Sequence, residues 1–102
     1  MTARERLPNR RASELREVES LKLPFTVGTS KYADGRLAEI FINNHKAGSA
    51  AGIMANDLGV VCSIALQYGV PVEVIRKALA RDSQGKATSP LGVALDLLSE
   101  ES

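Results

Sequence analysis

The pair Asp34-Gly35 lies between two β-prone runs, residues 25–32 and 37–42. Asp-Gly is a preferred centre for a tight type I′ turn, because both central residues must take positive φ. The stretch is therefore read as a β-hairpin. A two-residue turn sets Ala33 opposite Arg36, and hence Val27 opposite Ile42, Thr29 opposite Ile40 and Gly28 opposite Phe41. Phe25, Val27, Ile40 and Ile42 then share the core face. The other face carries Tyr32, Leu37 and Phe41, with Gly28 leaving room for the Phe41 ring. So apolar a face is poorly suited to water, which makes these three residues a candidate interface for a protein partner or a second copy of the chain.

After the hairpin the apolar period changes from two to 3.6. Ser49 is placed to cap a helix over about 49–68, in which Met54, Leu58, Val61, Ala65 and Tyr68 form one stripe, widened by Ile53, Val60 and Ile64. That stripe is expected to be the buried face of the central helix, with Gly52 and Gly59 marking close approach of another backbone. Gly69 suits a helix stop and Pro71 a new start, for a second helix over about 71–81 that buries Val72, Ile75, Ala78 and Leu79. Ser89-Pro90 opens a third over about 90–98, carrying Leu91, Ala94, Leu95 and Leu98. Residues 14–21 fit either a short helical stripe or a first strand at about 14–20, and the strand-like sequence that follows favours the strand. Residues 1–13 read as a flexible basic arm and 100–102 as a frayed acidic tail. Strands followed by helices give an α+β domain over 14–99, a small antiparallel sheet with helices on one face.

With 44% apolar residues but only 4% aromatics in 102 residues, the core must come from Val, Ile, Leu and Ala, which disfavours a large cofactor cavity. The 13 basic and 12 acidic side chains nearly cancel, so any attraction to nucleic acid must be local. One cysteine, Cys62, excludes an internal disulfide framework and a multi-cysteine zinc site. No apolar run approaches the roughly 20 residues needed to span a bilayer, and the first residues lack an apolar signal core. A cytoplasmic protein without membrane contact is the expectation.

The chain assembles no catalytic constellation: His45 is the only histidine and Cys62 the only thiol, and they occupy unrelated positions. No catalytic residue, metal site or cofactor is expected. Two binding surfaces remain. Asn43, Asn44, His45, Lys46, Gly48 and Ser49 lead into a helix N-terminus, whose free N–H groups can hold a phosphate such as that of a nucleotide, although the same residues also make an ordinary capped turn. Ile64, Ala65, Gly69, Val70 and Ile75 have the spacing of a helix-turn-helix, in which Arg76, Lys77 and Arg81, with Arg10 and Arg11 of the arm, would meet DNA phosphates.

Three strings in succession, Ala38-Glu39-Ile40-Phe41-Ile42-Asn43, Lys46-Ala47-Gly48-Ser49 and Ser63-Ile64-Ala65-Leu66-Gln67-Tyr68-Gly69-Val70-Pro71, give the chain a specific likeness. Over residues 25–98 it resembles the TSCPD domain, the small C-terminal module of adenosylcobalamin-dependent ribonucleotide reductases that also occurs as short stand-alone proteins. The reductase-attached versions carry cysteines associated with metal or redox roles. This chain has only Cys62, so that role does not carry over. Ribonucleotide reduction needs a large barrel with a radical-forming cysteine and a thiol pair. The resemblance therefore implies a non-catalytic accessory or regulatory interaction module linked to deoxyribonucleotide synthesis, and a small DNA-binding protein is the alternative.

Overall fold

The computed structural model describes residues 3–7, 13–46 and 48–101. Three strands, β1 (Ser13–Ser20), β2 (Leu23–Lys31) and β3 (Leu37–Asn43), form an antiparallel sheet in the order β1-β2-β3. Three helices follow, α1 (Ala50–Gln67), α2 (Val72–Ala78) and α3 (Pro90–Glu101). The ambiguous first segment is thus a strand. Its link to β2 is the pair Leu21-Lys22, with φ of 56° and 61°. Both central residues of a tight hairpin turn take positive φ, yet neither is glycine or asparagine, so the usual signal of a turn is missing and the backbone is strained.

Across β2 and β3, Val27 faces Ile42, Gly28 faces Phe41 and Thr29 faces Ile40, as the alternation requires. The connection differs from the expected two-residue turn. Lys31 pairs with Leu37 while Ser30 pairs with Glu39, so Ala38 is an extra residue in a bulge and the loop has three residues. The Tyr32 N–H donates to the Arg36 carbonyl at 2.9 Å, and Gly35, at φ 92°, supplies the left-handed residue such a loop requires. The bulge restores the register beyond it.

The inner face of the sheet buries Phe25, Val27, Ile40 and Ile42 against Cys62 and Leu66 of α1 and Leu91, Ala94 and Leu95 of α3. The buried face of α1 is not the stripe its apolar residues suggest. Ala55, Gly59, Cys62, Ser63, Leu66 and Gln67 point inward, while Met54, Leu58, Val61 and Tyr68 are exposed. The reason lies in β3, an edge strand whose outward N–H and C=O groups need partners. The Ser63 hydroxyl accepts from the Ile40 N–H at 2.8 Å and donates to the Ile40 carbonyl at 3.0 Å. One turn on, Gln67 Nε2 donates to the Ala38 carbonyl at 3.0 Å. One turn back, a Cβ on Gly59 would stand 3.0 Å from the Ile40 oxygen and 3.4 Å from the Ile42 nitrogen, so only glycine lets the helix lie this close. Ala55, Gly59, Ser63 and Gln67, four residues apart, form the row that seals the edge.

The remaining elements close the other side. Helix α2 stops at Ala78, short of the expected 81, because residues 80–88 fold into a turn in which Asp82 Oδ1 accepts from the N–H groups of Gln84 and Lys86. Helix α3, capped by Ser89 Oγ on the Gly92 N–H, runs on through Glu101, past the point where fraying was expected. There the Glu101 carboxylate accepts from Arg16 Nε at 2.8 Å. The Ser20 hydroxyl donates to the Thr88 carbonyl at 2.9 Å. Residues 3–7 are seated: the Glu5 N–H donates to the Gln67 carbonyl at 2.7 Å, and Arg4 Nε donates to Gln67 Oε1 at 2.6 Å.

Replacing Ser63 with Ala should leave a buried N–H and a buried C=O of Ile40 unanswered and lower stability by about 2 kcal/mol in urea unfolding. Loss of hydrogen-exchange protection at the Ile40 amide would accompany it, and unchanged protection would contradict the edge-sealing role. The double substitution Leu21→Asn with Lys22→Gly should raise stability by about 1 kcal/mol by relieving positive φ. A drop in the melting temperature would show that the native turn is unstrained.

Candidate functional site

The loop from β3 into α1 brings together most of the residues read as an anion site, and their polar groups largely answer one another. Asn44 Nδ2 donates to the Pro24 carbonyl at 2.9 Å, and Asn44 Oδ1 accepts from the Lys46 N–H at 2.8 Å. Ser49 Oγ accepts from the Gly52 N–H at 3.1 Å, so the hydroxyl serves as the helix cap. An open cavity of about 350 Å³ is lined by Asn43, Asn44, Lys46 and Gly48, with Asp57 on its wall. Lys46 favours an anion there and Asp57 opposes it. His45 turns the other way, 3.3 Å from Thr26 Oγ1 and 3.8 Å from a Glu17 carboxylate oxygen.

The three residues of the candidate hairpin interface occupy different environments. Tyr32 is buried, with its hydroxyl donating to the Glu5 carbonyl at 3.2 Å and the Arg36 guanidinium over its ring at 4.7 Å. Burial, assisted by the Glu5 charge, pushes the Tyr32 phenol upward. Leu37 is half-buried and lines a cavity of about 390 Å³ with Arg16, Arg36, Val72, Leu95 and Glu101. Phe41 is exposed on the outer sheet face, across Gly28 from Leu15, whose side chain would lie 3.3 Å from a Cβ at position 28.

The single thiol is a core group. Cys62 is 3% exposed, and burial alone pushes it up to about 11, so it is held protonated. Among the described residues no three His, Cys, Asp or Glu side chains come together in a way that could hold a metal ion. Sequence reasoning missed the two most conspicuous surfaces: the cavity beside Leu37, assembled from β1, the hairpin, α2 and α3, and the outward face of α1. The first has no contiguous motif. The second is visible as an apolar stripe, which periodicity alone places in the core.

Arg10 and Arg11 lie outside the described residues. Lys77 is exposed on α2, whereas Arg76 and Arg81 are engaged within the fold. Arg81 grips the Asp96 carboxylate with two bonds of 2.8 Å, and Arg76 reaches Asp96 at 3.1 Å. Arg76 also holds Glu73 with bonds of 3.0 and 2.7 Å. These paired charges leave little free cation for a phosphate backbone, and α2 spans only Val72–Ala78, short for a groove-reading helix. The Arg81 bond, aided by Arg76 against the opposing effect of burial, lowers the Asp96 carboxyl to about 2. A carboxylate depressed in this way stabilises the fold above its ordinary value near 4, and the contribution is lost as pH falls through about 2. Asp96→Asn should therefore cost about 1 kcal/mol at neutral pH. The gap between the two proteins should close toward pH 2 in urea midpoints, and a pH-independent gap would remove the ion pair as its cause.

Against known proteins, a family model for the TSCPD domain matches residues 3–99. The vitamin B12-dependent ribonucleotide reductase of Agrobacterium fabrum is 41% identical over 70 residues, covering 69% of this chain and 6% of that protein. Its counterpart from Bradyrhizobium diazoefficiens is 38% identical over 73 residues, covering 72% and 6%. That of Rhodopirellula baltica is 42% identical over 72 residues, covering 71% and 7%. No solved structure matches. The chain spans only about 6 to 7% of the length of these relatives. With the family model covering the sheet and all but the end of the last helix, the chain belongs to the TSCPD domain family.

Proposed function

We propose that this chain is a non-catalytic accessory or regulatory module that acts on a B12-dependent ribonucleotide reductase, without a cofactor of its own. The observation that carries the reading is the pattern of coverage. About 70% of this chain aligns with a segment amounting to 6 or 7% of each reductase, the proportion of one appended module rather than of a catalytic body. The chemistry agrees with it. Reducing a ribonucleotide takes two electrons, which a thiol pair can deliver by closing to a disulfide. The one thiol here is buried, protonated and without a second cysteine to close on.

Titrating the purified chain into a cobalamin-dependent reductase from the same host should give saturable binding and a change of at least about twofold in kcat or KM, with no nucleotide reduction by the chain alone. Reduction by the isolated chain in the presence of adenosylcobalamin and a dithiol would overturn the non-catalytic part. Absence of binding with both partners at about 100 µM would overturn the reductase link, since a functional contact is expected to be considerably tighter than that.

A further inference from the structure

With its edge-sealing row and the core residues Cys62 and Leu66 turned inward, α1 leaves its opposite side facing solvent. Seven large apolar side chains of residues 53–68 are exposed, among them Met54 at 67%, Val61 at 64% and Ile53 at 56%. Scaled by their exposed fractions they present about 700 Å² of surface, more than the largest patch of a typical monomer and close to the roughly 800 Å² per partner of a standard interface. It is about a tenth of the molecule's 6672 Å², again the proportion a standard interface takes from a small protein. Within it Met54, Leu58, Val61, Ala65 and Tyr68 follow at intervals of four, three, four and three, the seam spacing of paired helices. Ile53, Val60 and Ile64 flank the seam on the side toward β3.

The geometry points to a second copy of this chain as the occupant, packed α1 against α1 in antiparallel fashion about a twofold axis through Val61. An isologous contact must complement itself, and this seam does. With Val61 on the axis, Met54 meets Tyr68 of the second copy, Leu58 lies opposite its Ile64 and Asp57 opposite its Ala65, while the two Val61 side chains meet each other. The only charge in α1 is Asp57. In this arrangement the two Asp57 residues lie eight positions apart along the paired helices, about 12 Å, beyond the roughly 8 Å screening length at physiological salt. Contrary to the expectation from the sequence, α1, at 18 residues with a mean hydropathy of 1.4, is long and apolar enough to cross a membrane by length and composition. A lipid-surface helix, however, carries Lys and Arg beside its apolar face, and α1 has neither.

The test needs no reductase, so its outcome is independent of the proposed function. Sedimentation equilibrium of the whole chain should give twice the 10.9 kDa protomer mass at low micromolar concentration. Val61→Glu should weaken association at least about 100-fold while far-UV circular dichroism and the cooperativity of melting stay native, as expected for an exposed position. In a Cys62→Ala background, Val61→Cys should form an intermolecular disulfide under mild oxidation, a readout that does not depend on the charged variant folding. A wild type that is monomeric at about 100 µM would overturn the proposal, as would a dimer that Val61→Glu leaves intact but Phe41→Glu breaks. A monomeric chain that instead floats with anionic phospholipid vesicles would overturn it in favour of a lipid surface.

Discussion

The hydroxyl of Ser63, accepting from the Ile40 N–H and donating to its carbonyl, fixes how the largest helix meets the sheet. An edge strand in a small antiparallel sheet presents unpaired backbone groups, and a helix that covers the edge must answer them with side chains short enough to permit close approach. Gly59 provides the approach and Ser63 and Gln67 the partners. The opposite edge, β1, is protected differently, by its charged run of Glu14, Arg16, Glu17 and Glu19. With α1 committed to the edge, Leu91, Ala94 and Leu95 of α3 complete the cover over the inner face.

Much of this arrangement was legible in the residues. The alternation on either side of Asp34-Gly35 carried the pairing of Val27 with Ile42, since a slip of one residue would turn every core side chain to solvent, while the three-residue loop and the bulge at Ala38 that compensates it were not visible. Ser49 and Gly69 marked the ends of α1 closely, because caps and left-handed stops are local chemistry. The first hairpin was ambiguous for the opposite reason: Leu21-Lys22 adopts a glycine-like conformation without glycine-like residues, so only pairing with β2 reveals the strand.

The orientation of α1 could not be read by apolar periodicity. That rule assumes a helix rests on a sheet face, where burial of carbon is the dominant gain. Here the helix lies along a backbone edge, where leaving N–H and C=O groups unanswered costs more than leaving valine or methionine in water, and the least apolar stripe goes inside. The site residues suffered from the same locality. Asn43, Asn44, Lys46 and Gly48 do gather around one cavity because they are neighbours in the chain, but His45 leaves the group for the outer sheet face. Arg76, Lys77 and Arg81 read as a set facing phosphates, but Glu73 within α2 and Asp96 from another helix engage the charges of Arg76 and Arg81.

The contacts between β1 and the last helix bear on the order in which the structure assembles. The strand meander and α1 close short loops, so their ordering entropy is offset early and locally. Arg16 with Glu101 and Ser20 with Thr88 join residues 85 and 68 positions apart, and β1 gains these partners only once α3 is in place. The three-stranded meander with α1 is thus the expected early nucleus, with α3 joining later through Arg16 and Ser20. In the native state the last helix would be the part of the domain that opens first, parting Arg16 from Glu101 while the strand meander and the serine-sealed edge stay closed.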